Sequence, residues 1–423
     1  MRAQGSEDTA PTIHATTREQ SGDELRQSVQ EATFRYFWHG GHPVSGMARE
    51  GIGTWHPDHL VATGATGMGL MAIVVGAERG FVSRSTAAER TLRILTFMGE
   101  RADRFHGVWP HWLNGETGAT IPFSDMDDGG DLVETALFIQ GVLVARQYFD
   151  GEGDVEEEIR RRAARLWRAV EWDHHLRDGV LLWHWSPNHG FAMNHAIRGF
   201  NETQITYVLA VASPTHSVPP TTYETGWLSP WYDNGGDFYG IRLAVGPDLG
   251  GPMFWTHYSY LGFDPRGWTD GHADYFEHGR HVARIHRAYA ADNPLGHEGY
   301  SDECWGLTAS LNPWGYAAHE PGTDRDNGTI APTAALSSMP YTPEASMAAL
   351  RHFYHDHGQR LWGPFGFRDA FNVGEDWYAP GYLGIDQAPI VVMIENHRSG
   401  LIWETFMSSP EIEPALLSMG WTR

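Results

Sequence analysis

Leu132-Val-Glu-Thr-Ala-Leu-Phe-Ile-Gln-Gly-Val-Leu-Val144 is apolar on nearly every side when wound at 3.6 residues per turn. A helix of that kind has no face to offer water and must be buried. The next segment is built differently. From Asp154 onward, Val155, Ile159, Ala163, Leu166 and Val170 fall on one stripe, and Arg160, Arg161 and Arg165 take the solvated face. That is the pattern of a helix laid over a core. The alternation runs through the chain. All-round apolar segments recur at residues 67–76, 205–212, 253–261, 307–311 with 330–336, and 390–394. Amphipathic segments lie between them. Asp23 is placed to cap a helix carrying Leu25, Val29, Ala32 and Tyr36. Thr86-Ala-Ala-Glu89 reads as a capping box before Leu92 and Leu95, and Thr342-Pro343-Glu344 as a helix start before Met347, Leu350 and Tyr354. Inner helices alternating with outer ones predict an all-α, double-layered barrel of about a dozen helices. It spans residues 21–423 as one domain, after a polar, disordered leader over residues 1–20.

Composition narrows the chemistry. The chain has 423 residues, 30 basic against 53 acidic, and a formal net charge of −23. Such a surface repels a nucleic-acid backbone and an anionic membrane. All the basic residues are arginine, so Schiff-base, pyridoxal-phosphate and P-loop lysines are excluded. One cysteine, Cys304, leaves no intrachain disulfide and no cysteine-based zinc site. No apolar run reaches membrane-spanning length, and the first twenty residues lack the apolar core of a signal peptide; the expectation is a cytoplasmic protein. The 18 Trp, 16 Tyr and 19 Phe exceed ordinary core needs. An aromatic-lined groove suits sugars, whose C–H faces pack on rings while their hydroxyls meet polar groups.

Acids and amides precede several of the buried segments: Asp127, Asp128 and Asp131; Asn201 and Glu202; Asp302 and Glu303; Asp326 and Asn327; Asp386 and Gln387. Any one of these is adequately explained as a helix cap. Parallel inner helices would bring the starts to one mouth, and capping alone does not require so many carboxylates there. The densest run, Ser124-Asp-Met-Asp-Asp-Gly-Gly-Asp-Leu-Val-Glu134, places Asp131 and Glu134 on one helix face. An EF-hand reading fails because its bidentate glutamate position falls on Ala136. A DDxxD-type magnesium–diphosphate reading lacks a second motif and suits a lysine-free acidic chain poorly. G-x-S-x-G, H-E-x-x-H, Rossmann and Walker patterns are absent. Paired carboxylates remain, the equipment of glycoside hydrolysis: one protonated donor and one base or nucleophile.

The residues also carry a family resemblance. Phe34-Arg-Tyr-Phe-Trp38, Gly41-His-Pro-Val-Ser-Gly46, Thr63-Gly-Ala-Thr-Gly67, the run from Asp127 to Glu134, Gly199-Phe-Asn-Glu202, His257-Tyr258 with Gly262 and Asp264-Pro265-Arg266, Gly299-Tyr-Ser-Asp302, and Gly384-Ile-Asp386-Gln-Ala-Pro389 together resemble the glycoamylase-like domain family. That family includes bacterial β-1,2-glucanases and is related to the transglycosylase domain of cyclic β-1,2-glucan synthases. The resemblance implies an (α/α)6 barrel and an inverting hydrolase of β-linked glucan. It implies Glu202 as general acid and Asp386 as general base, with Asp127, Asp131 and Glu134 binding substrate or serving the proton path. No cofactor or metal is implied. Aromatic candidates for sugar subsites are Trp183, Trp185, Trp255, Tyr258, Trp377 and Tyr378, the last two in a loop just before Asp386. The competing readings are a transglycosylase on this scaffold, an exo-acting glycosidase on another linkage or a diglycoside, a catalytically silent glycan-binding protein, and a polysaccharide lyase, which would want a basic groove.

Overall fold

The computed structural model of the protein describes residues 21–229 and 232–423; the expected leader lies outside the described residues. Outer and inner segments alternate along the chain. Helix α1 (Gly22–Trp38) is outer, α2 (Thr63–Glu78) inner, α3 (Arg84–Glu100) outer, α4 (Leu132–Tyr148) inner, α5 (Asp154–Ala169) outer and α6 (Gln204–Ala212) inner. A π-helical turn (Tyr223–Trp227) continues the outer layer, and two 3-10 turns (Met253–Thr256 and Tyr258–Tyr260) the inner one. Then come α7 (Tyr275–Asp292) outside, α8 (Pro332–Leu336) inside, α9 (Pro343–His355) and the short α10 (Gly358–Leu361) outside, and α11 (Gly384–Arg398) inside. Helices α12 (Leu401–Met407) and α13 (Ile412–Ser418) end the chain. Inner neighbours pack in sequence order and α11 returns to α2, which closes an (α/α)6 barrel. Among the described residues no helix is long and apolar enough to cross a membrane.

Burial follows the two sequence patterns. Every residue of α4 from Leu132 to Ala145 is buried, whereas α5 buries Ile159, Ala163, Leu166 and Trp167 and exposes its arginine face. Helices α2 and α4 touch backbone to backbone. A Cβ built on Gly141 would lie 1.9 Å from the Gly67 carbonyl oxygen, and one on Gly67 would lie 2.2 Å from Phe138 Cα. Only glycine permits that approach. At the far ends of α2 and α11, Arg79 grips the buried Glu395 through both carboxylate oxygens, at 2.7 and 2.5 Å.

Several local expectations change. Ser21, not Asp23, caps α1, in a reciprocal box with Glu24 (3.2 and 2.9 Å). Helix α3 starts three residues before Ala87, with Ser83 accepting the Thr86 N–H, so the expected box falls inside the first turn. Residues 253–261 form 3-10 turns rather than an α-helix. Residues 307–311 run into a strand, Ala309–Asn312, that pairs with Gly315–Ala318. Asn312-Pro-Trp-Gly315 has turn chemistry and closes this hairpin.

Candidate active site

The starts of the inner helices meet. At the start of α4, Asp131 accepts the Val133 and Glu134 N–H groups through Oδ1, each at 2.9 Å. Glu134, one turn in, reaches the start of α2 and accepts the Gly64 N–H at 2.6 Å. Glu202 lies in the turn before α6, where its carbonyl accepts the Ser259 hydroxyl at 2.6 Å. Asp386 lies in the first turn of α11 and accepts the Tyr258 hydroxyl at 3.3 Å. Tyr258 feels the charges of both Asp386 and Glu202, and Glu202 those of Asp131 and Glu134. Tyr258 thus links Asp386 to the cluster formed by Glu202, Asp131 and Glu134 at the starts of the inner helices.

So many acids cannot all be ionised in a low-dielectric space. Two histidines neutralise one side. His111 Nδ1 is 3.4 Å from Asp131 Oδ2, and His111 Nε2 is 3.9 Å from Glu134. His184 Nε2 lies 3.2 Å from Asp127 and 3.6 Å from Asp131. Burial opposes their charge, but the carboxylates outweigh it, raising His111 to about 10 and His184 to about 9. Burial likewise opposes the charge on Asp131, yet the two imidazoliums hold it far below the ordinary carboxylate range. Ligand atoms of His111, Asp127 and Asp131 lie within 4.8 Å of one another, so this corner has the donors to hold a cation in place of the protons.

Among the described residues Glu202 has no cationic partner of that kind. Burial, then the charges of Asp131 and Glu134, push it up to about 7. Glu134 is also raised to about 7, chiefly by burial, but its side chain is enclosed and tied to Gly64. Glu202 is the more open of the two.

Asp386 pairs with a second acid. Asp369, 2% exposed, accepts the Leu311 N–H through Oδ2 at 2.7 Å and presents its other oxygen to Asp386. Among the described residues the remaining oxygens, Asp386 Oδ2 and Asp369 Oδ1, are buried and have no hydrogen bond to another group. A proton shared between them satisfies both. Burial and then the neighbouring carboxyl raise Asp386 well above its ordinary range, and burial raises Asp369 to about 6. The pair holds one proton and one negative charge over a wide pH range.

The aromatic candidates scatter. Trp183 stacks on His184 and His195 (centroids 5.7 and 4.9 Å), beside the acid cluster. Trp377 packs on Leu311, Ala379 and Leu383, behind Asp369. Trp185 lies against Phe105, His106 and His174, and Trp255 against Phe254. Tyr378 turns away toward α9 and α10, bonded to His357 at 2.7 Å and covered by Arg360. Asp302 and Glu303 are exposed, with Asp302 paired to Arg287 of α7. Asp326 is bonded to Tyr289 and Tyr300. Neither group reaches the cavity acids.

Sequence reasoning missed Glu50, whose charge acts on Asp386, Asp369, Glu134 and His111, and it missed Asp369, His111 and His184. It also missed Tyr316, whose ring is 52% exposed while its hydroxyl lies in the field of Asp386, Glu50, Asp369 and Glu202. A run of ring contacts leads outward from His111 through Phe123 (4.3 Å), Trp112 (4.7 Å) and His56 (6.0 Å) to the exposed Trp55 (5.0 Å).

The Glycoamylase family model, for glucoamylase-type proteins, matches residues 194–410, a span that includes Glu202, Tyr258, Asp369 and Asp386. This chain belongs to the glycoamylase family. It is 47% identical over 427 residues to the exo β-1,2-glucooligosaccharide sophorohydrolase (non-reducing end) of Parabacteroides distasonis, a match that covers 96% of this chain. The chain spans 59% of the length of that curated relative. Among solved structures, the endo-β-1,2-glucanase of Chitinophaga pinensis, in complex with sophorotriose and glucose, is 48% identical, with 96% of this chain and 99% of that chain covered and a TM-score of 0.93. The endo-β-1,2-glucanase of Talaromyces funiculosus with sophorose, 12% identical over 95% of this chain and 92% of that one, shares the family barrel at a TM-score of 0.65.

Proposed function

We propose that residues 21–423 act as one catalytic domain, an inverting glycoside hydrolase that cleaves β-1,2-linked glucooligosaccharides. Glu202 serves as general acid and Asp386 as general base. The observation that carries this reading is the contrast between the two carboxyl sites. Glu202, raised to about 7 by burial, retains a proton to give at neutral pH. The Asp386–Asp369 pair keeps one negative charge and is more basic than an ordinary carboxylate, which suits it to take a proton from water. In one turnover water adds across the glycosidic bond. Its oxygen attacks the anomeric carbon, its proton passes to Asp386, and the proton of Glu202 passes to the departing oxygen, directly or through a substrate hydroxyl. The shared proton rests on Asp369 while Asp386 accepts. Asp127, Asp131 and Glu134, held by His111 and His184, bind sugar hydroxyls beside Glu202. The rings from His111 to Trp55 and Trp183 offer flat apolar faces for glucosyl units. The printed activities of the two bacterial relatives, both on β-1,2-linked glucose, support the linkage. Incubation with linkage-defined gluco-oligosaccharides tests it. Release of glucose or sophorose from β-1,2-linked chains is expected, and cleavage of other linkages alone would refute it. Product analysis at high acceptor concentration separates hydrolysis from transglycosylation.

A further inference from the structure

We propose that Cys304, His352 and His357 form a binding site for one borderline-soft divalent cation of the zinc class, sharing no residue with the carboxylate cavity. The three residues come from separate places: a bend after Ser301, the last turns of α9, and the position just beyond its cap. Yet a ligand atom from each lies within 4.8 Å of the others. Cys304 is fully buried, and its sulfur has no hydrogen-bond partner among the described residues. The two imidazoles are already oriented. His352 Nδ1 is 2.7 Å from the Asp356 carboxylate, and His357 Nδ1 is 2.7 Å from the Tyr378 hydroxyl. Each ring is thus held in place by a contact at Nδ1. A histidine anchored by a carboxylate through its other nitrogen is the usual outer support of a zinc ligand. The rings stand 5.0 Å apart at 78°, so their edges can converge on one point.

Two imidazole nitrogens and one thiolate are a donor set for zinc, with water completing a tetrahedron. Zinc–nitrogen bonds of about 2.0 Å and zinc–sulfur bonds of about 2.3 Å imply ligand separations of roughly 3.5 Å. The residues therefore draw together by about 1 Å, a side-chain adjustment. Without metal, burial pushes the Cys304 thiol up to about 12, so the sulfur carries its proton. Binding exchanges that proton for the metal: the S–H bond breaks, the S–metal bond forms, and one proton leaves for each ion bound. The bound ion would tie the end of α9 to the bend at Cys304 and, through Tyr378, to the strand beside Trp377. In the proposed site a single cysteine supplies the thiolate and two histidines complete the set.

The experiment uses the full chain after chelator treatment, titrated with Co²⁺ and then displaced by Zn²⁺. A thiolate-to-metal charge-transfer band that saturates at one cobalt per thiolate is expected, with release of one proton for each ion bound there. Cys304→Ser should abolish the band. Because Cys304 is in the core, the partly exposed His352→Gln provides a second variant, expected to weaken binding at least tenfold with the native circular dichroism retained. Absence of the thiolate band in the folded wild-type protein at excess cobalt would overturn the site. So would zinc affinity unchanged in His352→Gln.

Discussion

Replacing Glu202 by Gln should make the protein less active and, above neutral pH, more stable. The carboxyl is raised from 4.5 to about 7 in the fold, chiefly by burial. Below pH 4.5 both folded and unfolded chains carry the proton, and the group is neutral in the balance. Between 4.5 and 7 the unfolded chain loses the proton that the folded chain keeps, so stability falls as pH rises. Above 7 both are ionised and the full cost persists. At about 1.4 kcal/mol per unit, a shift of roughly two and a half units costs about 3 kcal/mol. Glutamine keeps the shape and the hydrogen-bonding end without the charge. Urea denaturation at pH 4.5 and pH 8.5 is the assay: near-equal stability at the lower value is expected, and a gain of about 3 kcal/mol at the higher one. Turnover of β-1,2-linked oligosaccharide should fall by a factor of about 10²–10⁴, the usual contribution of a general acid. A stability difference that does not change with pH would show that Glu202 ionises normally, and the case for it as acid at neutral pH would fail. Full turnover in the folded variant would refute the role outright.

Asp386→Asn should also lower turnover by orders of magnitude while folding normally, as measured by initial rates and circular dichroism. Asp369→Asn removes a neighbouring carboxyl that raises Asp386; Asp386 then ionises at lower pH, and the acid limb of the kcat/KM profile should move to lower pH. NMR of the first product should show the inverted anomer, and a retained anomer would contradict Asp386 as base. Gly67→Ala would drive a Cβ to 2.2 Å from Phe138 Cα, where backbone must give way. A loss of about 3 kcal/mol or more is expected from denaturant midpoints.

The barrel was legible because two periodicities alternate, one apolar all round as in α4 and one striped as in α5. Where the inner layer is not α-helical the pattern misled. Residues 253–261 are as apolar as a buried helix, yet they follow Pro252 and coil as 3-10 turns. Residues 307–311 are apolar because a buried strand is, and only the Asn312-Pro-Trp-Gly315 turn distinguished them. Glu202 and Asp386 were among the candidates because each precedes or opens a buried helix, and the family resemblance singled them out. Glu50 and Asp369 were not, because they lie in bends whose closeness to Asp386 arises from long-range backbone pairing with residues 381–384. His111 and His184 were passed over among 24 histidines; their spacing from Asp131 along the chain carries no hint of ligation. Tyr378, chosen for its loop, faces α9 because His357 and Arg360 hold it there.

The backbone contact between Gly67 and Gly141 lies about one turn below Gly64 and two below Glu134, the N–H and carboxylate that join the same two helices at the cavity floor. Two rigid rods pinned at successive levels cannot rotate or slide independently. The floor of the site is thus held rigid by backbone, whereas the 309–318 hairpin carries the exposed Trp314 and Tyr316. Exchange of that hairpin between relatives should change which chain lengths enter while leaving the ionisation of the acids below untouched.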